Sequence, residues 1–176
     1  MTSGGERSDG GRSSGGERSD GGRSWSRRLT ELGIELPAVV APLAVYVPAV
    51  RTGNLVYTAG QLPIVSGELT RTGKVGADVD SEDAKDLARV CGLNALAAVD
   101  ALVGIDAVTR VVKVVGFVAS APGFGGQPGV VNGASELFGE VFGDAGAHAR
   151  SAVGVSELPR NAPVEVEVVV EVGLTR

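Results

Sequence analysis

The sequence predicts an α+β domain in which two helices cover one face of a mixed sheet, in the order β-β-β-α-β-α-β-β. Three patterns point to it. Val-rich segments with period-two alternation open and close the body of the chain. Two stretches between them switch to a period of three and four. Each of those stretches is followed by a further strand pattern, so each helix must cross back over a sheet.

The domain is expected to span residues 25–176. Ahead of it, "SGGERSDGGRS" occupies Ser3 to Ser13 and recurs unchanged from Ser14 to Ser24. These repeats carry no apolar side chain to offset the entropy of ordering, so residues 1–24 are expected to form a disordered tail. The tail's four arginines and four acids cancel, leaving the net charge of -5 on the body. An acidic body argues against nucleic acid as a partner, because that affinity comes mostly from Lys and Arg on phosphates. Aromatics at 4% are too few for a base-stacking platform. One cysteine and one histidine rule out a disulfide framework and argue against a structural zinc site. "SRRLTELGIELPAVVAPLAVYVPAV" imitates an export signal, but Glu31, Glu35 and three prolines interrupt it. The 36–50 run is also shorter than the ~20 residues of a spanning helix. It is expected to be extended chain, and the protein cytoplasmic with no membrane partner.

Along the body, "LAVYVPAVRTGNLVYTAGQL" predicts two strands around a Gly53-Asn54 turn. A short strand, "LPIV", then meets a turn at Ser66-Gly67, and "LTRTGKVGADVD" is expected to be irregular. The first main helix starts at Asp80 or Ser81, with Glu82 and Asp83 suited to its dipole. Leu87, Val90, Cys91, Asn94, Ala98, Ala101 and Leu102 are expected on its buried face, and Gly104 ends it. "VTRVVKVVGFVAS" carries valines on both faces, which implies cover on both and hints at a partner subunit. The second main helix presents Ala134, Leu137, Phe138, Val141 and Phe142 as one stripe and ends at Gly143.

"ARSAVGVSELPRNAPVEVEVVVEV" predicts a closing hairpin. With Glu157 opposite Val164, Arg150 faces Glu171 across the ladder and shares a sheet face with Glu165. The two then stand about 20 Å apart in one chain. Two readings stay open: a solvated sheet with an Arg150–Glu171 pair, or a subunit seam where Arg150 of one copy meets Glu165 of another.

"GNLVYTAGQLP", "VNGASELFGEVFG" and "RSAVGVSELPRNAPVEVE" together resemble the RidA (YjgF) family of reactive-intermediate deaminases, over about residues 44–172. "SAPGFGGQPGVVNG" is looser and suggests a divergent subgroup. The resemblance implies a chorismate-mutase-like fold and a homotrimer with clefts between subunits. It implies hydrolysis of enamines and imines of the 2-aminoacrylate type to 2-oxo acids and ammonia, with no metal or organic cofactor. By the same resemblance Arg150 binds the ligand carboxylate and Glu165 handles the water. Tyr46, Gly60, Asn132 and Ala152 line the substrate, Ala152 through its backbone. Ala59 and Ala152 depart from the family pattern, which favours serine and cysteine there.

Plainer readings stand beside these. Tyr46 suits an edge-strand aromatic, Asn94 and Asn132 suit ordinary helix positions, and Cys91 suits the core better than a nucleophile. His148, two residues before Arg150, either reaches the same cleft or serves as a polar surface or interface residue. "GFGGQPG" lacks the Lys and Ser/Thr of a phosphate loop. A non-catalytic trimer that binds a small carboxylate is the alternative function. Ribonuclease activity, attributed to some relatives, sits poorly with the acidic body.

Overall fold

The computed structural model describes residues 24–39 and 45–173, together with Met1. The expected disordered tail lies outside the described residues, apart from Met1 and Ser24. The body opens with a short helix, α1 (Trp25–Glu31), that the expected order of elements does not include. Ser24 caps it, accepting from the Arg27 amide. Tertiary contacts hold this helix. The Trp25 indole donates to the Val108 carbonyl at 2.8 Å and meets the Phe142 ring edge-on at 5.2 Å.

Strands β1 (Ala49–Thr52) and β2 (Leu55–Thr58) flank the Gly53-Asn54 turn, where Gly53 takes φ 58°. The short β3 (Ile64–Val65) pairs with β4 (Glu68–Leu69) around Ser66-Gly67, and beyond Leu69 the segment up to Asp80 is irregular as expected. Helix α2 (Ser81–Val103) is capped by Asp80, which accepts from the Asp83 amide, and stops at Gly104. Strand β5 (Val108–Ala119), helix α3 (Gln127–Phe142), strand β6 (Ala149–Val155) and strand β7 (Val164–Val172) complete the order. On α2, Leu87, Cys91, Asn94 and Ala98 are buried as expected, whereas Ala101 and Leu102 are exposed. The expected stripe on α3 is buried throughout.

The main sheet has the strand order β1-β2-β7-β5-β6. The expected closing hairpin does not exist. β7 lies between β2 and β5, antiparallel to both, and β6 runs parallel to β5 on the outer edge. The reason is burial. Val164, Val166, Val168, Val170 and Val172 present a continuous apolar face that needs a central position under the helices. A strand holding Arg150, Ser151 and Gly154 tolerates an edge. The connection after β6 accommodates the separation by a tight turn in which Arg160 and Asn161 both take φ 58°. Because β5 and β6 are parallel, α3 serves as their crossover.

Helices α2 and α3 cover the same face. Their approach is close at Gly133, where a Cβ would overlap the backbone carbonyl of Lys85 on α2. The other face of the sheet carries Lys113, Val115, Phe117, Glu165 and Glu167, all partly exposed. No helix among the described residues is long and apolar enough to cross a membrane.

Candidate active site

Strand parity decides where each expected residue points. On β6, Ala152 packs against the core under the helices. A Cβ at Gly154 would meet the side chains of Gln127 and Ser120. Arg150 shares their parity and reaches up to α3. Its Nη1 donates to Asn132 Oδ1 at 2.7 Å and to Ser135 Oγ at 3.1 Å. The face assigned to Arg150 from the sequence is therefore the wrong one. Ser151, Val153 and Val155 occupy the open face instead, Ser151 accepting from Lys113 Nζ at 2.8 Å. Hydrophobicity misled here, because the polar stretch of α3 lies over this edge strand.

Arg150 does not pair with Glu171 either. Glu171 sits opposite Leu55 and Arg110 and accepts from Asn54 Nδ2 at 2.7 Å. Among the described residues no carboxylate lies within ion-pair distance of Arg150, and its Nη2 and Nε have no hydrogen-bond partner. A half-buried guanidinium held by two neutral oxygens keeps one donor edge for an anion.

Glu165 lies opposite Phe117 on the open face, beside Gly60. A Cβ at Gly60 would overlap the Glu165 carboxylate, so glycine is what lets that carboxylate lie against the chain after β2. Burial, and then the neighbouring charge of Glu167, push the Glu165 carboxyl above the usual carboxylate range. Asn94 supports this region from α2. It is only 3% exposed and donates to the carbonyls of Leu62 and Ile64 at 2.9 and 3.0 Å. Cys91 is fully buried, and burial pushes its thiol well up, consistent with a core residue.

The expected residues thus fall in three places. Arg150, Asn132 and Ala152 lie on the helix side at the β6 edge. Glu165 and Gly60 lie on the open face around β7 and β2. Tyr46, 49% exposed, precedes β1 at the opposite edge of the sheet from β6. Four strand spacings separate those edges, about 19 Å. A groove of about 540 Å³ between the 35–39 segment, the β3–β4 turn and α2 holds none of these residues. Two further polar residues lie around Arg150. Ser135 has no sequence signal beyond its place three positions after Asn132 on α3, which puts the two on one face. His148, two residues before Arg150 in the chain, joins Ser135 at 3.0 Å.

A mixed sheet covered on one face by two main helices, with an arginine and a carboxylate displayed from different strands, is an α+β architecture of the chorismate-mutase-like type. The family model described as Endoribonuclease L-PSP matches residues 37–172, and the chain belongs to that family, the YjgF/RidA family. Helix α1 lies ahead of the matched residues. The crystal structure of Atu1372 from Agrobacterium tumefaciens, a protein of unknown function, is 47% identical with a TM-score of 0.78, over 85% of this chain and 94% of that one. Protein TCP17 of Trypanosoma cruzi is 44% identical over 69% of this chain and 78% of its own length. The YjgF gene product of E. coli is 31% identical with a TM-score of 0.51, over 77% of this chain and 91% of that one.

Proposed function

We propose that the protein hydrolyses reactive 2-imino and enamine acids of the 2-aminoacrylate type to 2-oxo acids and ammonia, in clefts between the subunits of a homotrimer. The observation that carries this reading is Arg150, a pinned guanidinium with an unused donor edge and no carboxylate partner among the described residues. It suits a ligand carboxylate gripped by two parallel hydrogen bonds. The second requirement is a proton acceptor beside the imine carbon, and Glu165 suits that role.

The enamine first tautomerises to the imine, which reacts in its protonated, iminium form. Water adds to the iminium carbon, and the Glu165 carboxylate takes one of the water's protons while the C=N electrons pass to nitrogen, leaving a neutral carbinolamine. Glu165 then gives that proton to the carbinolamine nitrogen. The C–N bond breaks as the hydroxyl loses its own proton to the freed carboxylate, and the 2-oxo acid and ammonia leave. A carboxyl that holds its proton more tightly than usual serves the second half of this cycle. Imine carbon is electrophilic enough that positioning one water supplies much of the catalysis. Asn132 keeps the guanidinium in place, Gly60 makes room for Glu165, and Tyr46 and the Ala152 backbone would border the ligand.

Since Arg150 and Glu165 face opposite ways in one protomer, the reading requires two copies. The exposed Val153 and the partly exposed Val115 and Phe117 supply apolar surface on the open face for such a contact. The test is pyruvate release from freshly generated 2-aminoacrylate. Arg150→Ala is expected to abolish the acceleration and leave the assembly intact. Unchanged turnover in that variant removes Arg150 from the mechanism, while ligand binding without turnover in the wild type supports a non-catalytic carboxylate binder instead.

A further inference from the structure

We propose that Ser135 and His148 are positioning residues that set the orientation of the Arg150 guanidinium, and so its grip on the ligand carboxylate. This inference rests on the reading of Arg150 given above. It starts from the proton inventory of five groups. His148 Nδ1 lies 2.6 Å from the Gly146 carbonyl oxygen, which can only accept, so Nδ1 carries the ring proton. In the neutral imidazole Nε2 is then bare, and at 3.0 Å it accepts from the Ser135 hydroxyl. The serine proton is thereby committed, and a lone pair of Oγ is turned to Arg150 Nη1 at 3.1 Å. Nη1 spends its second proton on Asn132 Oδ1 at 2.7 Å. Both protons of one nitrogen are occupied, the guanidinium plane is defined, and the Nε–Nη2 edge is left for a planar anion.

The elements are arranged to keep this chain of hydrogen bonds in register. Asn132 and Ser135 stand three apart on one face of α3. His148 immediately precedes β6 and Arg150 is the second residue of that strand, and both meet Ser135 on α3. The Phe138 ring meets the imidazole edge-on, with centroids 6.0 Å apart. Gly146, the origin of the chain, lies so close to α3 that a Cβ would overlap the Phe138 carbonyl. The acceptor of the imidazole proton is thus fixed by the backbone. The Ser–His geometry could suggest a nucleophile, but the guanidinium donates to the same oxygen and withdraws electron density from it. Holding arginine in one rotamer before the ligand arrives removes an ordering cost from binding. The effect should therefore appear in affinity and not in the chemical step.

The experiment uses the full chain, with pyruvate binding measured by calorimetry and turnover of 2-aminoacrylate measured in parallel. Ser135→Ala is expected to raise both KM and the pyruvate Kd about tenfold, a typical effect for a hydrogen bond to a charged group. Its kcat should stay within about twofold of wild type. Ser135→Thr, which keeps the hydroxyl, should restore affinity. His148→Leu should match Ser135→Ala, and the double variant should be no worse than either, because the residues act in series. Circular dichroism and thermal melting check that each variant is folded. Unchanged KM and Kd in Ser135→Ala, with binding lost in Arg150→Ala, overturn this inference and leave the reading of Arg150 standing. A loss of kcat at constant KM also overturns it. A wild-type chain that neither binds pyruvate nor turns over 2-aminoacrylate overturns both.

Discussion

Arg150 on β6 and Glu165 on β7 project from opposite faces of the same sheet, with β5 between their strands. Their neighbours on β5 are Val114 and Phe117. Three residues along the ladder, two strand spacings and the thickness of the sheet therefore separate them. On the function proposed above, each is one half of a site for a small acid.

That relationship gives a complementation test. Arg150→Ala and Glu165→Gln should each be inactive alone. Subunits of the two variants, mixed in equal amounts and allowed to reassemble at random, should recover about a quarter of wild-type activity, since that share of the clefts joins an intact arginine to an intact glutamate. No recovery in assemblies proven to be mixed would mean that both groups come from one subunit.

The raised carboxyl of Glu165 makes stability depend on pH in a definite direction. Its folded-state pKa lies above its unfolded value, through burial and then through Glu167. The protonated form is the one the fold prefers. Its contribution is fully present below the ordinary carboxylate range and is lost as pH rises through the elevated value. Glu165→Gln, which mimics the protonated form, should therefore melt higher than wild type near neutral pH. The two melting curves should converge in acid. Thermal denaturation across that range checks the sign, and a Gln variant less stable at neutral pH contradicts it.

Gly133 sets the distance between α2 and α3. A methyl group there meets the Lys85 carbonyl, which is backbone and cannot rotate away. Gly133→Ala should cost about 1–3 kcal/mol, the usual range for overpacking. It should also disturb Asn132, the adjacent residue that holds Arg150. Urea denaturation gives the first effect, and a rise in KM beyond that of wild type gives the second.

Periodicity, caps and turn residues, read from the sequence by itself, determined the strands, the two main helices and the glycines that stop them, because those signals are local. The motif around Arg150 and Glu165 also carried the family resemblance, since residue types and spacing are legible in one sequence even where pairing partners are not. Only the tertiary structure decided which strands are neighbours. The 158–163 loop looks like a hairpin connection, yet β7 lies between β2 and β5 because its valine face gains more by burial at the centre than beside the polar β6. With the neighbours misassigned, the face of Arg150 followed, since one residue of parity turns a side chain to the other side of a sheet. The tertiary structure likewise decided that α1 is a helix, through the Trp25 contacts with Val108 and Phe142. It also brought Ser135 and His148 to Arg150 from separate elements, a meeting that depends on how α3 lies over β6 and that no local pattern encodes.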